Sequence, residues 1–219
     1  MKTLEDKALE TIYRKCLTIP PNVVNTEMFY PSSNKDKRKT KRKKILIVAL
    51  LKPIKGIPYV LEALSQIKSK RSDFILDIVG DGPKRREYEE LTIRLGLNGF
   101  VKFHGLKSKQ KVAEFMRNSN FFVLPSVWDN LPCVLIEAMA SGLPIVATDV
   151  GGVREILDRS GGILIPSENV EALINAIEYM LDNHNRYSSM DIAKYARERF
   201  SYEAIGKMLD KIYRQQVRK

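Results

Sequence analysis

The sequence is poor in cysteine and histidine and has no long apolar run. Its two cysteines, Cys16 and Cys133, lie far apart in 219 residues. That usage excludes a disulfide framework and a thiolate metal knot, and it fits a reducing compartment. Cys133 falls in an apolar stretch and is expected as a small buried hydrophobe. With only His104 and His184, a multi-histidine metal site is disfavoured. The chain also lacks H-E-x-x-H, C-x-x-C and a D-x-D-like acidic pair in a plausible site loop. The longest apolar run, residues 45–51, is too short to span a bilayer and reads as a buried strand. The opening MKTLEDKALE is too charged for a signal peptide. A cytoplasmic protein is the expectation.

Apolar residues make up 44% of the chain, enough for a packed core. The net charge of +11 is concentrated in residues 35–44, KDKRKTKRKK, with eight basic residues and one acid. Two readings stand: a tether to an anionic membrane surface or polyphosphate, or a solvated linker. The run has no aromatic residue to stack on a base, which argues against nucleic acid.

Residues 4–16 carry Leu4, Ala8, Ile12 and Cys16 at helical spacing. IPPNVVNTEMFYPSS follows as an extended connector. Beyond the basic run, short apolar stretches predict strands at 45–50, 74–79, 101–104, 121–125, 144–148 and 162–165. Helical patterns fill the gaps at 57–68, 84–95, 109–117 and 134–140, then at 168–182 and 201–217. This alternation predicts an α/β fold, a Rossmann-like parallel sheet with flanking helices. Ligands of such sheets bind beyond the carboxyl ends of the strands. The loops at 51–57, 80–84, 104–108, 125–133 and 148–153 are therefore the candidates.

The stretch 125–157, PSVWDNLPCVLIEAMASGLPIVATDVGGVREIL, is the most informative. It sets Asp129 and Glu137 around one loop–helix junction, with seven residues between them. A helix N-terminus offers backbone N–H groups and a positive dipole end to a phosphate. A carboxylate one turn inside can accept hydrogen bonds from sugar hydroxyls. Glu137 lies between CVLI and AMA, an apolar setting that demands a partner for its charge. Bound hydroxyls, or backbone N–H groups in the empty site, would serve.

Other loops carry weaker signals. Lys55 and Gly56 in KPIKGIP can place a cation and a close backbone against phosphate, although a lysine alone there reads as a solvated turn. Gly80 and Gly82 in VGDGP make either a strand–helix turn or a pocket wall. A dinucleotide fingerprint is missing, because Arg85 stands where its third glycine would be. His104 closes the third strand; a lone histidine with no nucleophile nearby is more often structural. DVGG, residues 149–152, can add further N–H groups to the same cleft.

Together these residues resemble the retaining glycosyltransferases of family four (glycosyl transferases group 1), whose fold is the two-domain GT-B. The match is to the C-terminal, donor-binding half, and covers almost the whole chain. IPPNVVNTEMFYP is similar to that family's inter-domain IPNGVDTEKFxP, and Asp129 and Glu137 stand on its E-x7-E pattern, with aspartate for the first glutamate. The resemblance implies a catalytic pair in which Asp129 meets hydroxyls of the donor sugar and Glu137 holds the ribose. It implies Lys55 and Gly56 on the diphosphate, with the amides around Asn130, Leu131, Pro132 and Cys133. It sets Gly80, Gly82 and the His104 loop around the rest of the nucleotide. The donor would be a UDP- or GDP-sugar, a hexose would be transferred, and no metal or other cofactor would be needed.

Two departures accompany the match. The family's usual arginine five residues before the lysine is Leu50 here. Members of that family usually carry an N-terminal Rossmann-like domain that binds acceptor, and this sequence starts just before the inter-domain connector, so a partner chain or a longer parent protein is expected to supply that domain. The expected organisation is an N-terminal helix, connector and basic linker over 1–43, a nucleotide-sugar domain over 44–200 and a crossover helix over 201–219. The last helix either reaches back to the missing domain or packs on this one. A non-catalytic sugar-nucleotide-binding module is the alternative to an enzyme; an unrelated dehydrogenase is disfavoured by the absent fingerprint.

Overall fold

A computed structural model describes residues 22–32 and 42–217. The expected helix at 4–16, Cys16 and residues 35–41 of the basic run lie outside the described residues. The strands are β1 (Lys43–Val48), β2 (Phe74–Val79), β3 (Val101–Phe103), β4 (Phe121–Leu124), β5 (Ile145–Thr148) and β6 (Gly162–Ile165). The helices are α1 (Ile57–Lys68), α2 (Arg85–Arg94), α3 (Lys109–Asn118), α4 (Cys133–Ala140), α5 (Val153–Ile156), α6 (Val170–Asn183), α7 (Ser189–Phe200) and α8 (Tyr202–Val217). All six strands pair in parallel, in the order β3-β2-β1-β4-β5-β6. The α/β Rossmann-like expectation holds.

The boundaries shift in instructive ways. β1 begins at Lys43, so two residues of the basic run are strand residues; Lys43 pairs with Phe74 and Lys44 with Ile75. The fixed amide of Lys44 donates to Asn120 Oδ1 at 2.7 Å. Backbone pairing, rather than side-chain hydropathy, sets that end of the strand. Helix α7 had no counterpart in the sequence reading. Its buried set, Ile192, Ala193, Ala196 and Phe200, is half alanine and gives a weak apolar signal.

Alternation along each strand feeds two cores. Ile45, Ile47, Phe121, Val123 and Val146 face α1 and α6 in one. Leu46, Phe122, Leu124, Ile145 and Ala147 face α3, α4 and α7 in the other. The second core also takes Val24 and Phe29 from the connector. Val24 N donates to Phe200 O at 2.8 Å, and Arg117 Nη1 donates to Met28 O at 3.0 Å. The connector is therefore packed along α3 and the end of α7. Helix α8 packs on α7 and buries Ile205, while Tyr202 and Tyr213 remain exposed.

The chain runs outward from β1 through β2 to β3, then returns to lay β4 on β1's other side. Neighbouring β1 and β4 thus send their following loops in opposite directions. That reversal opens a crevice at the carboxyl edge of the sheet.

Candidate functional site at the carboxyl edge of the sheet

The loops after β1 and β4 meet at this crevice. Val127 N donates to Ile54 O at 2.8 Å, so the two loops are joined backbone to backbone. Residues 53–55 form a single 3₁₀ turn ended by Gly56 at φ 64°. A Cβ on Gly56 would lie 1.9 Å from Pro125 O. Only glycine permits both the left-handed backbone and that approach. The turn aims Lys55 at the β4 loop, where its Nζ donates to Asp129 Oδ2 at 2.6 Å. Ser126 Oγ donates to the same oxygen at 3.1 Å.

Helix α4 begins four residues after Asp129, and no side chain caps its N-terminus. Its first-turn N–H groups lack intrahelical acceptors, as at any helix start. Asn130 is exposed, Leu131 half-buried and Pro132 buried. Two bonds hold this loop: Asn22 Nδ2 donates to Leu131 O at 2.6 Å, and Gly152 N donates to Asn130 O at 2.7 Å. The DVGG turn therefore braces the site loop from behind. Beside it, the Arg154 guanidinium holds the Asp149 carboxyl below its ordinary range.

Cys133 opens α4 and is exposed, which corrects the expectation of a buried hydrophobe. Its neighbours Leu135, Ile136, Ala138 and Met139 are buried, but the first helical residue is open to solvent.

Glu137 is buried, with only 10% of its side chain exposed. In place of the backbone N–H groups expected for the empty site, its partner is the Lys109 ammonium at the start of α3. Lys109 also lies 5.9 Å from the centroid of the Phe29 ring. No local signal marks this pair, because 28 residues separate its members.

His104 directly follows β3, which stops one residue short of its expected limit, with its Nε2 2.7 Å from Oδ1 of buried Asp77 and its ring 4.6 Å from that of Phe115. The imidazole thus satisfies a strand carboxylate. Gly80 and Gly82 lie where β2 turns beside the β1 loop. Gly80 N donates to Gly105 O at 3.0 Å, and Leu51 N donates to Asp81 O at 2.9 Å. The Gly82 amide and the Arg85 guanidinium hold Asp81 below the usual carboxylate range. Leu50, in the same loop, is 51% exposed.

The edge therefore combines an uncapped helix start and two carboxylate–lysine pairs, Lys55–Asp129 and Lys109–Glu137. Among the described residues, no three His, Cys, Asp or Glu side chains are grouped to hold a metal ion. No described helix is long and apolar enough to cross a membrane. A cavity of about 630 Å³ lies at the other pole, lined by Lys43, Arg71, Asp73, Asn120, Pro144 and Tyr187 among others. It sits at the amino ends of the strands, away from the switch-point crevice where sheets of this kind bind ligands.

The family model for glycosyl transferases group 1 matches residues 31–199. An α-D-kanosaminyltransferase of Streptomyces kanamyceticus is 30% identical over 174 residues, which are 78% of this chain and 45% of that protein. The chain spans about half the length of the curated relatives it matches. The C-terminal domain of a glycosyl transferase group 1 family protein from Francisella tularensis superposes with a TM-score of 0.71 at 21% identity, over 82% of this chain and 99% of that one. Alr3699/HepE of Anabaena, solved with UDP and glucose, gives a TM-score of 0.75 at 22% identity, over 87% of this chain and 54% of that one.

Proposed function

The chain belongs to the glycosyl transferases group 1 family, and on that premise we propose that its carboxyl edge binds the nucleotide diphosphate of a UDP- or GDP-sugar for glycosyl transfer. The observation that carries the reading is the junction itself. A lysine and a carboxylate meet at the sheet's switch point, beside an uncapped helix start with a second, buried carboxylate one turn inside.

In this reading the diphosphate lies at the N-terminus of α4, against the amides of Asn130, Leu131 and Cys133. Lysine has three donors. Lys55 keeps one on Asp129 and turns the others to phosphate. Glu137 accepts the ribose hydroxyls. Asp129 meets hydroxyls of the transferred hexose, and the His104 loop lies by the base. Gly56, Gly80 and Gly82 let the β1 and β2 turns close the pocket wall. As the glycosidic bond to phosphate breaks, charge grows on the departing diphosphate. Lys55 and the helix amides stabilise it there without a metal. The transfer retains anomeric configuration, as the family resemblance implies. UDP bound in the Anabaena neighbour supports the donor class.

Residues 44–200 form the donor domain in this proposal, with 1–43 and 201–219 as its flanking connector and crossover helix. The acceptor is held by a separate Rossmann-like domain, from the same polypeptide or a partner. The protein works in the cytoplasm, where residues 35–44 can meet an anionic membrane surface. One observation favours a second reading, a sugar-nucleotide-binding module without transfer. Leu50 is exposed where the family resemblance calls for an arginine, so one charged donor to the leaving group is missing.

The exposed thiol of Cys133 gives a direct test. Saturating UDP should slow alkylation of Cys133 by iodoacetamide several-fold, as read by peptide mass spectrometry, and leave Cys16 unchanged. An alkylation rate at Cys133 indifferent to UDP, GDP and ADP would remove the diphosphate from this helix start.

A further inference from the structure

We propose that Lys109 is a positioning residue for the nucleotide: it holds the buried Glu137 carboxylate in the orientation that accepts the ribose. This role rests on the donor-site reading above and adds a residue to it.

Glu137 is 10% exposed, Lys109 63%, and the two are joined by an ion pair and hydrogen bond through Oε1. A buried carboxylate stripped of its partner is costly, so Glu137 without Lys109 would swing toward water and leave the crevice. An ionised carboxylate has about four lone-pair sites. One lysine contact on Oε1 leaves acceptor capacity for a diol. Lys109 is itself held from two sides. It is the first residue of α3, directly after Ser108, whose Oγ accepts from Lys111 N. Its ammonium also lies over Phe29, a buried connector residue. The connector and α3 thereby fix a cation that fixes the carboxylate on α4.

The experiment is a set of UDP titrations by calorimetry on the wild-type chain and on Lys109→Met, Lys109→Arg, Glu137→Gln and the Lys109→Met/Glu137→Gln double variant. Lys109→Met should weaken UDP about tenfold. Lys109→Arg should recover most of that loss, since a cation returns. In the Glu137→Gln background, Lys109→Met should cost little more, because its effect runs through the carboxylate. A merely structural lysine would give losses that add in the double variant, and that result overturns the role. Tighter UDP binding by Lys109→Met also overturns it, since it would make the lysine a competitor of the ribose. If the wild-type chain binds neither UDP, GDP nor ADP, the donor-site reading itself falls and takes this role with it. Wild-type binding that Lys109→Met leaves intact removes the lysine alone.

Discussion

Glu137→Ala is expected to weaken UDP binding about ten- to a hundredfold, the range of one lost hydrogen bond to a charged acceptor. Asp129→Ala should leave UDP itself nearly unaffected and weaken only UDP-sugars. The asymmetry follows from position. Glu137 lies a turn inside α4, buried, with its charge matched by a lysine from another helix. Removing it deletes the proposed ribose acceptor and leaves Lys109 without its partner. Asp129 lies in the loop and accepts from Lys55 and Ser126. Without it, Lys55 is free to give all its donors to phosphate, which offsets the loss for a nucleotide lacking sugar. Parallel titrations with UDP and UDP-glucose measure both effects. Equal UDP affinity in the wild type and both variants would count against the site.

Gly56→Ala should be the most damaging small change near the crevice. Gly56 sits at φ 64°, and a Cβ there would lie 1.9 Å from the Pro125 carbonyl oxygen. The left-handed backbone and the forced backbone shift together cost about 2–5 kcal/mol. For a domain of this size that lowers Tm by roughly 5–20 °C. The strain also pushes apart the β1 and β4 loops, so Lys55 loses its aim at Asp129 and UDP affinity falls beyond the stability loss. A thermal melt followed by circular dichroism, with a UDP titration at low temperature, separates the two effects. An unchanged Tm would mean that the two loops are not packed as described.

Much of the architecture was legible because hydrophobic period maps onto secondary structure residue by residue. β2, β6 and α1 match their expected limits. Sheet order was not legible. The pairing of Ile45 with Phe121 joins distant segments, and periodicity carries no record of neighbours. That pairing is what creates the crevice, so the contact of Lys55 with Asp129 was not legible, although the family resemblance set both residues around one donor. The demand for a partner to Glu137 was legible from its apolar surroundings. The identity of that partner was not, because Lys109 stands in KSKQK, a stretch that reads as a solvated helix start. Cys133 misled for a related reason: flanking hydropathy reports average burial, while a first helical residue takes the direction of the helix end. The fold itself is shared with the C-terminal domain of its Francisella neighbour.

The central claim is that the start of α4, between Lys55 and Glu137, holds a nucleotide diphosphate. The most direct measurement is a ¹⁵N-resolved NMR titration of the labelled chain with UDP. The account predicts saturable shifts centred on the amides of Gly56, Asn130, Leu131 and Cys133, which in Glu137→Ala saturate only at about ten- to a hundredfold higher UDP. Shifts centred instead on Asn120, His184 and Tyr187 at the opposite pole, or no saturable shift with UDP or GDP, would contradict it.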